Sequence, residues 1–120
     1  MAQSINRYFH FLQSSRGSRP SGKLWCPAAD VYQSLEGWVV KIELAGVSTE
    51  DIEIQIEGDT LYIAGIRRDT TCSHSISYRQ MEITYNRFEK ILRFPASIEG
   101  ASVENNFDNG LLIIRLRKEK

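Results

Sequence analysis

Apolar and polar residues alternate with a period of two through much of the chain beyond residue 24. Residues 52–57 alternate without exception, with isoleucine at every second position and glutamate or glutamine between. Along 37–44 the apolar positions on one face are Trp38, Val40, Ile42 and Leu44. A period of two is typical of strands that bury one face and expose the other. The pattern therefore predicts strands over both segments, after an earlier strand that begins at Val31.

A turn-forming pair follows the most regular of these segments. Gly58-Asp59 stands between 52–57 and a further strand that contains Leu61 and Ile63. Glycine followed by a small polar residue between two alternating runs is typical of a tight hairpin. We therefore expect the two strands to pair with each other.

The C-terminal third predicts a second hairpin. One strand lies around 102–107, another runs over 111–116, and Asp108-Asn109-Gly110 between them has the composition of a hairpin turn. Strand-like residues 87–94 precede this hairpin and end at Pro95, because proline cannot continue a strand ladder.

The alternation breaks between residues 67 and 82. Residues 67–75 are polar, and they precede a short β-prone piece, Ile76-Ser77-Tyr78. A connection of this length inside a compact domain usually serves a function or is mobile. We expect an excursion away from the body of the domain.

Many short strands, turn residues between them and no convincing amphipathic helix after residue 24 favour an all-β fold. A two-sheet antiparallel β-sandwich fits this spacing best, and an all-β barrel is the alternative that periodicity leaves open. The hydrophobic content of 42% in 120 residues suffices for one compact core. A domain this small also gains from burial in subunit contacts, so self-association is expected.

The first 24 residues differ in composition from the rest. They contain four basic residues and no acidic one, which leaves eleven basic against fifteen acidic residues, a net charge of minus four, for the remainder. A polar linker-like stretch, 14–22, follows an apolar cluster near the start. The members of that cluster are Tyr8, Phe9, Phe11 and Leu12. We divide the chain into a flexible or partly helical arm and linker, 1–24, and a domain, 25–120.

Charge and hydropathy argue against several classes of partner. Neither part of the chain has the dense Lys/Arg patch that neutralises phosphates, so no nucleic-acid binding is expected. No apolar run approaches the roughly 20 residues that cross a bilayer, so no membrane span is expected. The arm lacks the apolar stretch of a secretory signal, although its acid-free composition leaves an organelle transit peptide as a minor alternative to the cytoplasm.

Residues that usually carry chemistry are sparse. Cys26 and Cys72 form no C-x-x-C pair, which argues against a disulfide framework and predicts reduced thiols in a cytoplasmic compartment. Cys72 and His74 together offer two zinc ligands, too few for a closed site. The sequence has no glycine-rich phosphate loop and no G-x-S-x-G elbow. We expect no metal, no cofactor and no enzymatic activity.

Six segments, in order, resemble the α-crystallin domain of the small heat-shock protein family. Three of them match patterns of that family: L-x-I-x-G-x-R, Y-G-x-F to R-x-L-P, and A-x-x-x-N-G-V-L. The segments are Ala29-Asp30-Val31-Tyr32, residues 39–47, Asp51-Ile52-Glu53-Ile54, residues 61–67, residues 85–95 and residues 103–112. Together they cover roughly residues 27–117, and their order and spacing make the resemblance specific.

The resemblance implies an immunoglobulin-like sandwich without enzymatic activity, built as a homodimer and assembled into larger oligomers through its terminal segments. It also implies a role in the stress response, as an ATP-independent holdase that binds unfolding client proteins and prevents their aggregation. In the family the N-terminal arm serves client binding, assembly or both, which points to the apolar cluster of the arm. The alternative is a CS-type co-chaperone or adaptor, which shares the sandwich but lacks the dimer loop and docks on one specific partner.

In bacterial and plant relatives the long loop pairs with the edge strand of a partner subunit. The resemblance therefore implies a dimerisation loop at about 67–82, with Tyr78 as its main anchor. The candidate contact residues are Cys72, Ile76, Tyr78, Arg79 and Met81. A loop without a partner is the alternative.

The family also has a groove, between the strands at 52–57 and 103–107, that receives an I-x-I motif from the tail of another subunit. The candidate lining residues are Ile52, Ile54, Ile56, Val103 and Phe107, and the alternative is that they belong to the core. The sequence ends at Lys120 without an I-x-I motif, so either it is cut short or the protein assembles without this strap. We expect a dimer or a modest oligomer. Asn86 stands where the family often has glycine, and asparagine accepts left-handed backbone better than most residues.

Overall fold

The computed structural model describes residues 24–71 and 74–118. The apolar cluster of the arm, Tyr8, Phe9, Phe11 and Leu12, lies outside these ranges, as does Cys72. What was predicted for these five residues stays a prediction.

Seven strands form the described part of the fold. They are β1 (Ala29–Gln33), β2 (Gly37–Glu43), β3 (Ile52–Glu57), β4 (Thr60–Ile66), β5 (Arg87–Arg93), β6 (Ser102–Asp108) and β7 (Leu111–Arg117). One short 3-10 turn, Thr49–Asp51, precedes β3. The predicted strands agree with these bounds to within about two residues, because alternation and turn residues mark both faces and ends of a strand.

The strands pair into two antiparallel sheets. One sheet has the order β1-β2-β7-β6 and the other has the order β3-β4-β5. The two-sheet sandwich is therefore confirmed. The barrel alternative is wrong, because each sheet ends in edge strands, β1 and β6 in one and β3 and β5 in the other.

The core lies between the sheets and draws on both. Val40 of β2 pairs with Ile114 of β7, and both side chains are fully buried. Leu61 and Ile63 of β4 and Phe88 of β5 close the same cluster from the other sheet. Because successive residues of a strand point to opposite faces, every second residue of the central strands contributes to this core.

Both predicted hairpins are present, and their turns differ. In the β6–β7 turn, Asn109 has φ 52° and Gly110 has φ 84°, as a type I′ turn requires. In the β3–β4 turn Gly58 alone lies in the left-handed region, with φ 63°, which is the pattern of a type II′ turn. The turn chemistry thus sets the register of both hairpins.

Within the described ranges, no helix has the length and apolar character that crossing a membrane requires.

Candidate interaction surfaces

The seam between β3 and β6 is open on one side of the sandwich. It holds a groove of about 170 Å³. The lining residues are Thr49, Ile52, Ile54, Asn105, Phe107 and Leu112. Both strands are sheet edges, so an extended segment could approach the groove from solvent.

Three of the five predicted groove residues, Ile52, Ile54 and Phe107, lie together in this groove. Ile56 does not line the groove; it packs against the core, as the three groove residues also do on their buried side. Val103 lies at the start of β6 with 42% of its surface exposed, outside the groove lining.

Asn105 is a groove residue that the sequence analysis missed. It lies on β6 opposite Ile114, whose side chain is fully buried, so Asn105 belongs to the face of β6 that points into the sandwich. Its position midway between Val103 and Phe107 in a period-two pattern could have revealed it. Asn105 is polar, whereas a groove that binds apolar side chains is expected to have apolar walls.

Residues 67–86 connect β4 to β5, and their described part contains no strand. Several large apolar side chains of this connection are exposed, among them Met81 at 72% and Ile83 at 65%. Ile76, Tyr78 and Tyr85 are also exposed. A cavity of about 300 Å³ lies among these residues.

Of the predicted dimer-loop residues, Ile76, Tyr78 and Met81 line that cavity and Arg79 is exposed beside them. Ile83 and Tyr85 line the cavity too, although the sequence analysis did not select them. They continue the apolar character of the loop past the predicted boundary at residue 82.

Hydrogen bonds to Asp69 tie the loop to itself. The Tyr78 hydroxyl donates to Asp69 Oδ2 at 2.9 Å, and the Thr71 amide donates to Asp69 Oδ1 at 3.2 Å. The Thr71 hydroxyl also donates to Oδ1, at 3.1 Å. The hydrogen bond from Tyr78, and then that from the Thr71 amide, hold the pKa of Asp69 below its ordinary value of 3.8.

Arg67 lies at the base of the loop. Its Nε donates to the Thr84 carbonyl at 2.9 Å and its Nη1 donates to the Ala45 carbonyl at 3.1 Å. Its guanidinium carbon lies 3.8 Å from the centre of the Trp25 ring. Arg67 ends the L-x-I-x-G-x-R segment and was not selected as a site residue.

Asn86 closes the same base. Its carbonyl accepts a hydrogen bond from the Arg67 amide at 3.0 Å, and its Oδ1 accepts one from the Arg87 amide at 2.9 Å. The left-handed backbone considered for Asn86 is absent, because Asn109 is the one non-glycine residue of the described ranges with positive φ. The Asn86 side chain is buried, and the oxygen of its side-chain amide holds the backbone at Arg87.

The described residues contain no group of three His, Cys, Asp or Glu side chains placed to hold a metal ion. Cys26 is an exposed free thiol. What these ranges do offer is a groove at a sheet seam and an apolar, exposed loop, which are features of a binding protein.

The seven strands of the described residues form an antiparallel sandwich with a long β4–β5 connection, which is the architecture expected of an α-crystallin-type domain. The sequence matches the Hsp20/alpha crystallin family over residues 30–120, and the chain belongs to that family.

Similar sequences and solved structures agree with this family assignment. The chain is 27% identical over 116 residues to small heat shock protein C2 of Rickettsia felis, a match that covers 97% of this chain and 73% of that protein. It is 31% identical over 94 residues to heat shock protein 16 of Schizosaccharomyces pombe, which covers 77% of this chain and 66% of that protein. The structure of heat shock protein 16.0 from the same yeast superposes with a TM-score of 0.71 at 30% identity, over 78% of this chain and 87% of that one.

Membership of this family gives the protein a chaperone role. The family consists of ATP-independent chaperones that form oligomers and bind client proteins, and they are not enzymes.

Proposed function

We propose that the protein is a holdase, which binds apolar segments of unfolding proteins without ATP and keeps them from aggregating. The observation that carries this proposal is the exposed apolar surface at the end of the β4–β5 connection, beyond the predicted dimerisation loop at about 67–82, where Ile83 is 65% exposed and Tyr85 is 45% exposed. Unfolded proteins also expose apolar surface. When the two proteins associate, apolar area of each is removed from water, which favours the complex. A flexible apolar surface also fits many different client sequences.

The homodimer is proposed as the building block, with the loop at about 67–82 as its contact. Strand β1 is an edge strand, so one side of its backbone has no partner strand among residues 24–71 and 74–118. Its Val31 and Tyr32 side chains are exposed. The Ile76-Ser77-Tyr78 piece forms no strand within its own chain, which supports pairing with the β1 edge of a second copy.

The groove is proposed to receive an extended apolar segment of a neighbouring subunit. Ile52, Ile54 and Phe107 offer apolar contacts at the seam between two edge strands, which suits a peptide with apolar side chains at alternate positions. The apolar cluster of the arm, outside the described residues, is proposed as a client-binding or assembly element. We place the protein in the cytoplasm, in keeping with the exposed free thiol of Cys26.

The holdase proposal is tested by heating an unrelated enzyme with the purified protein and recording light scattering without ATP. We expect suppression of aggregation near equimolar amounts. A substitution beyond the dimerisation loop, Ile83→Ser, is expected to weaken the suppression. Ile91→Ser is the matched control, because Ile91 is an exposed apolar residue of β5 that lies outside the β4–β5 connection.

Equal loss of suppression in the control and in Ile83→Ser would contradict a specific role for this surface. If the wild-type protein protects nothing at stoichiometric amounts, the holdase proposal fails and the CS-type adaptor alternative replaces it.

A further inference from the structure

Three segments of the chain meet at the side chain of Arg67. The first is the root of the arm, at Trp25, whose ring lies 3.8 Å from the guanidinium carbon. The second is the β2–β3 connection, where the Ala45 carbonyl accepts a hydrogen bond from Nη1. The third is the far end of the β4–β5 connection, beyond the dimer loop, where the Thr84 carbonyl accepts a hydrogen bond from Nε.

Trp25 is the residue by which the arm is attached to the sandwich. Its amide donates to the Arg87 carbonyl at 2.8 Å, and it forms an isolated parallel bridge with Phe88. Its ring packs edge-on against the Phe88 ring, with centroids 5.6 Å apart and an interplanar angle of 75°. The Arg67 guanidinium is a second partner of the ring, so Arg67 and the core residue Phe88 together hold the indole in place.

Arg67 also closes the base of the dimer loop. The loop leaves the sheet at Arg67 itself, whose amide donates to the Asn86 carbonyl at 3.0 Å. Thr84, whose carbonyl accepts from Nε of Arg67, lies two residues before Asn86. The Tyr85 ring centroid is 5.9 Å from the guanidinium carbon of Arg67. Both ends of the loop are therefore held by one residue.

We propose that Arg67 is a positioning residue that couples the root of the arm to the dimer loop, so that displacement of Trp25 loosens the loop. A guanidinium suits this task because its flat face stacks on an indole while its N–H groups bond to carbonyls at the edge. A lysine at this position would keep the charge and lose the combination. The inference rests on the proposed function of the arm and the loop, because it makes arm engagement a control on the loop.

The neighbouring Arg68 provides the contrast. Its Nε pairs with Asp51 Oδ2 at 3.2 Å, and 59% of its side-chain surface is exposed. An exposed pair of this kind contributes little to stability. Arg68 lies one residue further into the same loop, so it is a matched control for Arg67.

The test is amide hydrogen exchange of residues 74–83 in the full chain, for wild type and for Trp25→Leu, Arg67→Lys and the double variant. We expect each single substitution to speed exchange by about three-fold or more, as loss of a partly desolvated cation–π contact would. The double variant should be no faster than the faster single variant, since both break the same link. Trp25→Phe, which retains an aromatic ring, and Arg68→Lys should stay near wild type.

The coupling is overturned if Trp25→Leu leaves the loop unchanged, or if the two single effects multiply in the double variant. Circular dichroism of each variant shows whether the sandwich is still folded. If Trp25→Leu unfolds, Arg67→Lys carries the test: because coupling is reciprocal, it should also speed exchange of the Trp25 amide, which donates to the Arg87 carbonyl, and unchanged exchange of that amide overturns the coupling. The exchange rates are measured without any client. A failure of holdase activity therefore shows in the light-scattering assay, and a failure of the coupling shows here.

Discussion

Gly65 on β4 is packed so closely that no other residue fits without movement. A Cβ atom at this position would lie 2.0 Å from the Asp51 carbonyl oxygen and 2.7 Å from Phe88 Cζ. The first of these atoms is backbone and the second belongs to a fully buried ring, so neither can give way cheaply. The glycine of the L-x-I-x-G-x-R segment thus allows β4 to pack closely against the backbone at Asp51, just before β3, and against the Phe88 ring of the core.

Gly65→Ala is expected to lower the free energy of unfolding by about 3 kcal/mol or more, because it forces backbone and core apart. Denaturant unfolding at one fixed protein concentration measures it. Gly58→Ala is the control: its Cβ would meet nothing within 4 Å, so only the left-handed φ of 63° costs free energy, about 1 kcal/mol. Equal losses in the two variants would show that the close approach at Gly65 is not the cause.

Glu89 lies on β5, opposite Ala64, and burial raises its pKa above the ordinary value of 4.5. The folded state therefore favours the protonated carboxyl, and stability falls as the pH rises from 4.5 through the raised pKa. Glu89→Gln should be more stable than wild type at pH 7, by at most about 0.5 kcal/mol. Thermal unfolding at pH 7 and below pH 4 checks this, because a gain of the same size at both would contradict the protonation argument.

At the scale of elements, the β4–β5 loop depends on the carboxylate of Asp69. Its pKa is lowered in the folded chain, so its contribution is present above the ordinary value of 3.8 and is lost as the pH falls through the lowered value. Asp69→Asn should reproduce at pH 7 the loosening that acid causes in wild type. Hydrogen exchange or limited proteolysis of residues 74–83 would show the change.

Tyr78→Phe removes the hydroxyl that donates to Asp69 and keeps the ring, so it should loosen the loop at pH 7 like Asp69→Asn. Under acid, Asp69→Asn should lose the response of wild type, whereas Tyr78→Phe should keep the part that comes from the Thr71 hydrogen bonds to Asp69. If Asp69→Asn keeps the pH response of wild type, some other carboxylate controls the loop.

The elements differed in how far sequence could predict them. Strand β3 and both hairpins followed from local signals, because alternation and turn glycines are properties of neighbouring residues. The conformation of the loop did not, since the Tyr78–Asp69 bond and the Arg67 contacts join residues that no local pattern links. The lining of the groove could be predicted in part. Ile54 and Phe107 are apolar and follow the alternation, whereas the place of Asn105 in the lining depends on which sheet faces its strand.

The same limit applies to Val103 and Ile56. Both fit the period-two pattern of a groove wall. Which positions line the groove is decided by how the edge strands β3 and β6 of the two sheets lie relative to each other. Alternation specifies a face of a strand. It does not specify where along that face the second sheet stops.

At the scale of the whole molecule, the proposed dimer predicts a measurable change in mass. Tyr78→Ala removes an exposed aromatic anchor of the loop, and we expect the dimer dissociation constant to rise by at least about ten-fold, as for an interface hot spot. Analytical ultracentrifugation over a concentration series measures it. Ile91→Ser should leave the constant unchanged, and a wild-type protein that stays monomeric at all concentrations would refute the dimer.

The outward side of the edge strand β3 carries Glu53, Gln55 and Glu57. If two copies aligned their β3 strands in antiparallel fashion, carboxylates would come close to carboxylates across the junction, and like charges facing each other oppose pairing. Acidic side chains on a border strand are a common safeguard against unlimited ribbon growth. The proposed holdase, which has to bind unfolding proteins, thus carries on an edge strand of its own sheet the negative charge that opposes growth into a fibre.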